Sequence, residues 1–314
     1  MKGNTRNEMS NLTFQSEFLL LEFSEVWELQ FLQFLAFLIL YLATVTGNLL
    51  IIAAIALDDH LHTPMCFFLM NLATLDIASV SVIIPKSIAN SITHSRSISY
   101  SGCVAQVFLY FLFASTDFAI LTIMARDRYV AICNPLQYET IMHKGACIQM
   151  AGSAWIICFL YSAMHTGCTF SMNFCSNVVN QFFCEIPSLL IISCSDLYLV
   201  EVGLLVFACS LSLGCFIFII VTYVQIFTAV LRIPSVHGQK KALSTCIPHL
   251  TVVFLFESTA VLAYTRSPTK SSSVQDLVIA IIYSMVPPIM NPVIYSMRNK
   301  NIQVALWKLL GRST

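Results

Sequence analysis

Seven runs of roughly 20 or more residues in this chain carry at most one charged side chain each, the length a helix needs to cross a bilayer. Phe31–Leu57, Val202–Leu231 and Leu277–Met297 carry no charge. Thr63–Pro85 holds only Asp76, Ser97–Ala125 only Asp117, and Ala242–Thr265 only Glu257. No acid, lysine or arginine separates Lys144 from Glu185, which leaves room for one span near Ala146–Thr166 and a polar loop. A β-barrel would instead show segments of about ten residues with alternating polarity. Composition agrees: 57% of the 314 residues are hydrophobic and 10% charged, against roughly 45–50% and 25% in soluble domains. The expected fold is an all-α membrane protein, a seven-transmembrane helix bundle.

Charge gives the orientation. Sixteen bases balance sixteen acids, so no global field draws nucleic acid. With the N-terminus outside, ten bases (Arg126, Arg128, Lys144, Arg232, Lys240, Lys241, Arg298, Lys300, Lys308, Arg312) face the cytoplasm. Six (Lys2, Arg6, Lys86, Arg96, Arg266, Lys270) face outward, a bias of the expected sign. No basic start with a short apolar stretch and a cleavage site precedes Phe31, so no cleaved signal peptide is expected. Asn11-Leu12-Thr13 then lies outside, where Asn11 can accept an N-glycan. The expected organisation is an extracellular tail over 1–28, a receptor domain over 29–298 and an amphipathic helix with a short cytoplasmic tail over 299–314. In that last helix Val304, Leu306, Trp307, Leu309 and Leu310 accompany Lys300 and Lys308, a pattern suited to the inner leaflet. No cysteine follows Cys246, so no palmitoyl anchor is expected there.

The third run closes on Met124-Ala125-Arg126-Asp127-Arg128-Tyr129-Val130-Ala131-Ile132-Cys133. An acid beside a base where an apolar helix meets water is costly unless something uses the pair. The stretch resembles the Asp-Arg-Tyr end of the third helix in rhodopsin-like G-protein-coupled receptors, and its full length resembles the olfactory receptors of the tetrapod type. Three further stretches carry the same resemblance in the same order. Leu61-His62-Thr63-Pro64-Met65-Cys66-Phe67-Phe68-Leu69 has Cys66 where the family usually has Tyr. Lys240-Lys241-Ala242-Leu243-Ser244-Thr245-Cys246-Ile247-Pro248-His249 has Pro248 at the usual Ser, where a proline can kink the helix. Pro287-Pro288-Ile289-Met290-Asn291-Pro292-Val293-Ile294-Tyr295-Ser296-Met297-Arg298-Asn299 contains Asn-Pro-x-x-Tyr. Its prolines free carbonyls that Asn291 or water can satisfy.

The resemblance implies roles. Asp127 and Arg128 hold each other in an inactive state, and a helix movement frees the arginine for a partner. Tyr129 completes that motif. Tyr223 and Tyr295 match tyrosines that reorganise on activation; Asn291 and Pro292 belong to the seventh-helix motif. Lys240 and Lys241 sit where an outward swing of the sixth helix exposes them, though basic anchoring at the membrane face explains them equally well. Arg126 stands where the family usually has Tyr and brings a second base beside Asp127.

Asp76 and Asp117 are mid-span carboxylates, a functional class by default. They can share a sodium ion or a proton, or belong to a satisfied network with Asn48 and Asn291. Asn48 alone reads as helix-to-helix glue. Glu257 stands in Phe-Glu-Ser-Thr where many olfactory receptors read Phe-Tyr-Gly-Thr, about two turns from His249. It can recognise a polar or basic ligand, or serve a structural partner such as a buried tyrosine. Four cysteines, Cys103, Cys175, Cys184 and Cys194, fall on the oxidising side, and four cysteines allow three pairings. The family resemblance implies Cys103–Cys184 and Cys175–Cys194, with eight residues between Cys175 and Cys184, one fewer than usual. The other eight read as packing thiols, and no Cys and His set has zinc spacing.

For function, the resemblance implies an odorant receptor at the plasma membrane. A small, mostly apolar volatile would bind among Tyr110, Phe111, Ala114, Ser115, Glu257, Ala260, Val261 and Tyr264, by position on the third and sixth helices. It would activate a heterotrimeric G protein of the stimulatory olfactory type and raise cyclic AMP. Membrane lipid is the other partner, and no cofactor is expected beyond a bound sodium ion. The runner-up is a chemosensor for a small metabolite outside the nose. A transporter would show inverted repeats with paired broken helices. An enzyme would show a nucleophile–base pair or a metal motif. Neither pattern occurs.

Overall fold

The computed structural model describes residues 17–21, 27–93, 95–195, 197–264, 274–298, 300–309 and 311. Five long helices come first: α1 (Trp27–Leu57), α2 (Pro64–Thr93), α3 (Tyr100–Cys133), the one-turn α4 (Tyr138–Ile141) with α5 (Lys144–Phe170) after it, and, beyond the short α6 (Ile186–Ile192), α7 (Tyr198–Leu231). Then come α8 (Val236–Tyr264), α9 (Val274–Arg298) and α10 (Lys300–Leu309). Among the described residues six helices are long and apolar enough to cross a membrane, and α9 holds a shorter apolar stretch, Ile281–Tyr295. The chain is a multi-pass membrane protein.

Local chemistry sets the helix starts. Thr63 Oγ1 accepts from the Cys66 amide at 3.3 Å, and Pro64 takes the first helical position, where its missing N–H costs nothing. Ser99 caps α3 through the Gly102 amide at 3.1 Å. The His143 ring does the same for α5 through the Ala146 amide. The outer faces are apolar, as lipid requires: Val206, Phe207, Leu211, Leu213, Ile217 and Val221 of α7 are each more than half exposed.

Helix α3 is the central post, packed against α2, α5, α7 and α8, while α1 lies against α2 and α9. At Gly47 an added Cβ would come within 3.3 Å of the Pro292 side chain, so a glycine lets α1 and α9 approach closely. The helices with internal prolines stay continuous, α2 through Pro85, α8 through Pro248 and α9 through Pro287, Pro288 and Pro292. A proline at 292 removes the hydrogen bond to the Pro288 carbonyl one turn earlier. Asn48 Nδ2 donates to that carbonyl at 3.1 Å, as well as to Thr44 O at 3.0 Å. Sequence alone points to Asn291 or water as the donor; Asn291 instead donates to Asp76. Helix α10 buries Ile302 and Ala305 against the bundle, and Lys308 reaches Asp58 at 3.9 Å.

One end of the bundle is closed by a woven cap. Cys103 is bridged to Cys184 and Cys175 to Cys194. The Gln106 side chain clamps the first bridge, accepting from the Cys184 amide at 2.8 Å and donating to Val82 O at 3.0 Å. From sequence alone residues 17–21 fall within the tail. In the structure β1 (Glu17–Leu19) pairs antiparallel with β2 (Ser97–Ser99), Phe18 opposite Ile98. Leu19 also exchanges hydrogen bonds with the loop after α5, to Asn177 O at 2.7 Å and from the Val179 amide at 2.8 Å. Phe18 is fully buried, its ring 6.0 Å from Tyr100 and 5.4 Å from Phe174.

Candidate functional site

The end of α3 far from the disulfides holds the Asp-Arg-Tyr stretch. Arg128 donates to Asp127 Oδ2 through Nη2 at 2.6 Å and Nε at 3.1 Å. The Tyr138 hydroxyl, from the loop that follows, donates to Asp127 Oδ1 at 2.8 Å. Asp127 is fully buried and Arg128 nearly so. Burial, and then the neighbouring Asp127 charge, push the Tyr138 hydroxyl above its ordinary range, which keeps it a donor. Arg126 points outward and Tyr129 is half-buried.

A second set of bonds ties the same level together. His249 Nε2 lies 2.9 Å from the Leu121 carbonyl, which can only accept, so this nitrogen carries the proton. Nδ1 then accepts from the Tyr223 hydroxyl at 2.9 Å. One imidazole on α8 thereby holds α3 and α7. Tyr295 on α9 is buried with its hydroxyl unpartnered. Lys240 is exposed. The side chains of Lys241 and Tyr264, and Asn11, lie outside the described residues.

Halfway along the bundle Asp76 and Asp117 are both buried. Asn291 Nδ2 donates to the two Asp76 oxygens at 3.0 and 3.2 Å. Among the described residues Asp117 Oδ1, Asn291 Oδ1 and the Tyr295 hydroxyl have no hydrogen-bond partner. Two buried carboxylates with an orphaned oxygen between α2 and α3 fit a cation or a shared proton. Among the described residues no group of three or more His, Cys, Asp or Glu is gathered as a metal site.

The residues expected to meet a ligand lie nearer the cap. The Tyr110 ring stands edge-on to Phe183 at 5.3 Å, and Phe111 lies 4.9 Å from His165 and 5.8 Å from Tyr161. Ala114, Ser115, Glu257 and Ala260 are half-buried, and Ser115 returns its hydroxyl to Leu112 O. Val261 is 55% exposed. Glu257 accepts from Ser212 of α7 at 3.5 Å. An open cleft of about 370 Å³ between α3 and α7 is lined elsewhere, by Thr122, Phe207, Ser210, Leu211, Gly214, Cys215 and Phe218.

The family model described as olfactory receptor matches residues 37–313 of this chain. The chain belongs to the olfactory receptor family. Olfactory receptor 14I1 of Homo sapiens is 53% identical over 302 residues, covering 96% of this chain and 97% of the relative. Olfactory receptor 14A16 of Homo sapiens is 50% identical, covering 96% and 98%, and olfactory receptor 1G1 of Gorilla gorilla gorilla is 44% identical, covering 96% and 97%. This is a sensory receptor family and not an enzyme class.

Three polar features of this olfactory receptor leave little trace in its sequence. The His249 bridge depends on how helices rotate against each other, which no linear pattern shows. Glu185, beside Cys184, is half-buried and takes hydrogen bonds from Gln181, Ser188 and Tyr283; desolvation raises its carboxyl above the ordinary range while those bonds pull it down. His165 of α5 meets Glu201 of α7 at 2.7 Å, both fully buried. Its one sequence signal is the helical spacing of Ser162, His165, Thr166 and Thr169.

Proposed function

We propose that this chain is an odorant receptor of the plasma membrane, with the disulfide cap outside and the Asp127 end in the cytoplasm. A small volatile ligand binds in the cap-side half of the bundle, among Tyr110, Phe111, Ala114, Ser115, Glu257 and Ala260. Binding favours a state in which α8 leaves α3, Arg128 leaves Asp127, and a stimulatory G protein of the olfactory type exchanges its nucleotide, raising cyclic AMP. The Arg128–Asp127–Tyr138 closure carries this reading: a buried acid held by two donors at a helix end is a two-state latch. Oxidising surroundings for the two disulfides support the orientation. A sodium ion or proton shared by Asp76 and Asp117 would steady the closed state, and its departure would accompany activation.

The test is cyclic AMP in cells expressing the full chain with an olfactory stimulatory G protein, against a broad panel of volatiles. A response in the wild type that Arg128→Ala abolishes at unchanged surface level is the expected result. A response that survives Arg128→Ala would overturn the latch.

A further inference from the structure

Most helical serines and threonines in this chain spend their hydroxyl on their own backbone, as Thr44, Thr74, Thr116, Thr228 and Thr251 do on the carbonyl four residues back. One stripe of α5 does not. Ser162, His165, Thr166 and Thr169 recur at three- and four-residue intervals, so they share one helix face. That face is turned inward: three of the four are fully buried and Thr166 is 7% exposed. Ile156, Ile157 and Leu160 on the same helix are more than half exposed. Ser162 Oγ, Thr166 Oγ1, Thr169 Oγ1, His165 Nε2 and the neighbouring Tyr161 hydroxyl are all buried without a hydrogen-bond partner among the described residues.

Glu201, in the first turn of α7, meets this face. Its Oε1 lies 2.7 Å from His165 Nδ1 and the Cys168 thiol also faces the carboxylate, while Oε2 is buried with no closer hydrogen-bond partner among the described residues. Buried polar groups are rarely left unmet, and a cluster of them in an intramembrane bundle marks a place where something polar arrives. The cluster adjoins the expected ligand region, since the His165 ring is 4.9 Å from Phe111.

The donor and acceptor set selects the arriving chemistry. A carboxylate is repelled by Glu201. An ammonium competes with the imidazole already on that carboxylate. A hydroxyl donates and accepts at once, needs no net charge, and matches side chains that themselves do both. We propose that the α5 stripe and Glu201 form the polar end of the ligand site and receive the hydroxyl of a small alcohol or phenol, its apolar body lying against Phe111. This rests on the odorant-receptor reading above and names its ligand class.

Two measurements on the full-length chain separate the subsite from the signalling role. Thermal stabilisation of the receptor in lipid nanodiscs is read with straight-chain alcohols and substituted phenols, each beside its methyl ether, amine and carboxylic acid. Cyclic AMP is read in cells with the same compounds. The expected result is stabilisation by at least one alcohol or phenol at a concentration about tenfold below its methyl ether. Ser162→Ala with Thr166→Val, and separately Glu201→Gln, erase that difference at unchanged surface level. Equal stabilisation by alcohol and ether, preference for the amine or acid, or a difference that survives both variants overturns the subsite. Should either variant fail to reach the surface, the alcohol-to-ether ratio in the single Thr166→Val variant decides on the same terms. Stabilisation by alcohols with silent cyclic AMP upholds the subsite and overturns the signalling reading alone.

Discussion

The Tyr223 hydroxyl lies 2.9 Å from Nδ1 of His249, and the far nitrogen of the same ring holds the Leu121 carbonyl at 2.9 Å. His249→Phe keeps the ring volume and loses both bonds. At about 1 kcal/mol per bond, basal cyclic AMP should rise roughly 5- to 30-fold before ceiling effects. Tyr223→Phe should give a smaller rise, and the double variant no more than His249→Phe alone, because the two share one bond. Unchanged basal signal in both would show that the bridge does not bias the closed state.

Tyr138 is the second donor on Asp127. Tyr138→Phe leaves the Arg128 contact but removes the bond that orients the carboxylate from the other side. Basal signal should rise about 10- to 100-fold before ceiling effects, in line with the roughly 1.5–3 kcal/mol of one hydrogen bond to a charged group. Agonist potency should rise with it, since ligand and variant push one equilibrium. A lowered potency at unchanged surface level would contradict the latch.

Gly47 faces Pro292 where α1 packs against α9. Alanine there meets a contact of 3.3 Å, which a shift of a few tenths of an ångström relieves, so Gly47→Ala should lower the unfolding midpoint in nanodiscs only slightly. Gly47→Leu cannot be relieved that way. It should cost about 1–3 kcal/mol of overpacking and also pull Asn48 from the Pro288 carbonyl. Equal midpoints for the two variants would show that the helices part freely.

The Glu185 carboxyl is raised by burial above the ordinary glutamate value of 4.5. A raised acid binds its proton more tightly folded than unfolded, so its contribution favours the folded loop below that ordinary value. That contribution is lost as pH climbs through the raised value. Glu185→Gln should therefore flatten the fall in unfolding midpoint as pH rises above that ordinary value. A variant that steepens the fall would reverse the assigned direction.

The bundle was legible because lipid admits so few solutions: an uncharged run long enough to span is almost forced to be a helix. Asp127 and Arg128 were legible because charge at such a place is costly. The two disulfides needed the family resemblance, since spacing alone left three pairings open. Contacts between helices were not legible. Asn48 reaching Pro288, His249 reaching Leu121 and His165 reaching Glu201 each depend on helix rotation and depth, which leave no local mark. Strand β1 was invisible for another reason. Three residues among glutamates have no period to read, and their partners lie far along the chain.

That strand also dictates an order of assembly. Glu17–Leu19 emerge from the ribosome before any of the backbone they pair with. Ser97–Ser99 arrive only after two long helices, and Asn177 and Val179 after four long helices. Residues near the start of the receptor are thus among the last to find their place. They close over the same cap whose cysteine bridges hold the loop to α3. Quality control that senses an unpaired β1, with the Phe18 ring still in water, would be sensing in one observable whether the entire cap-side half has been built.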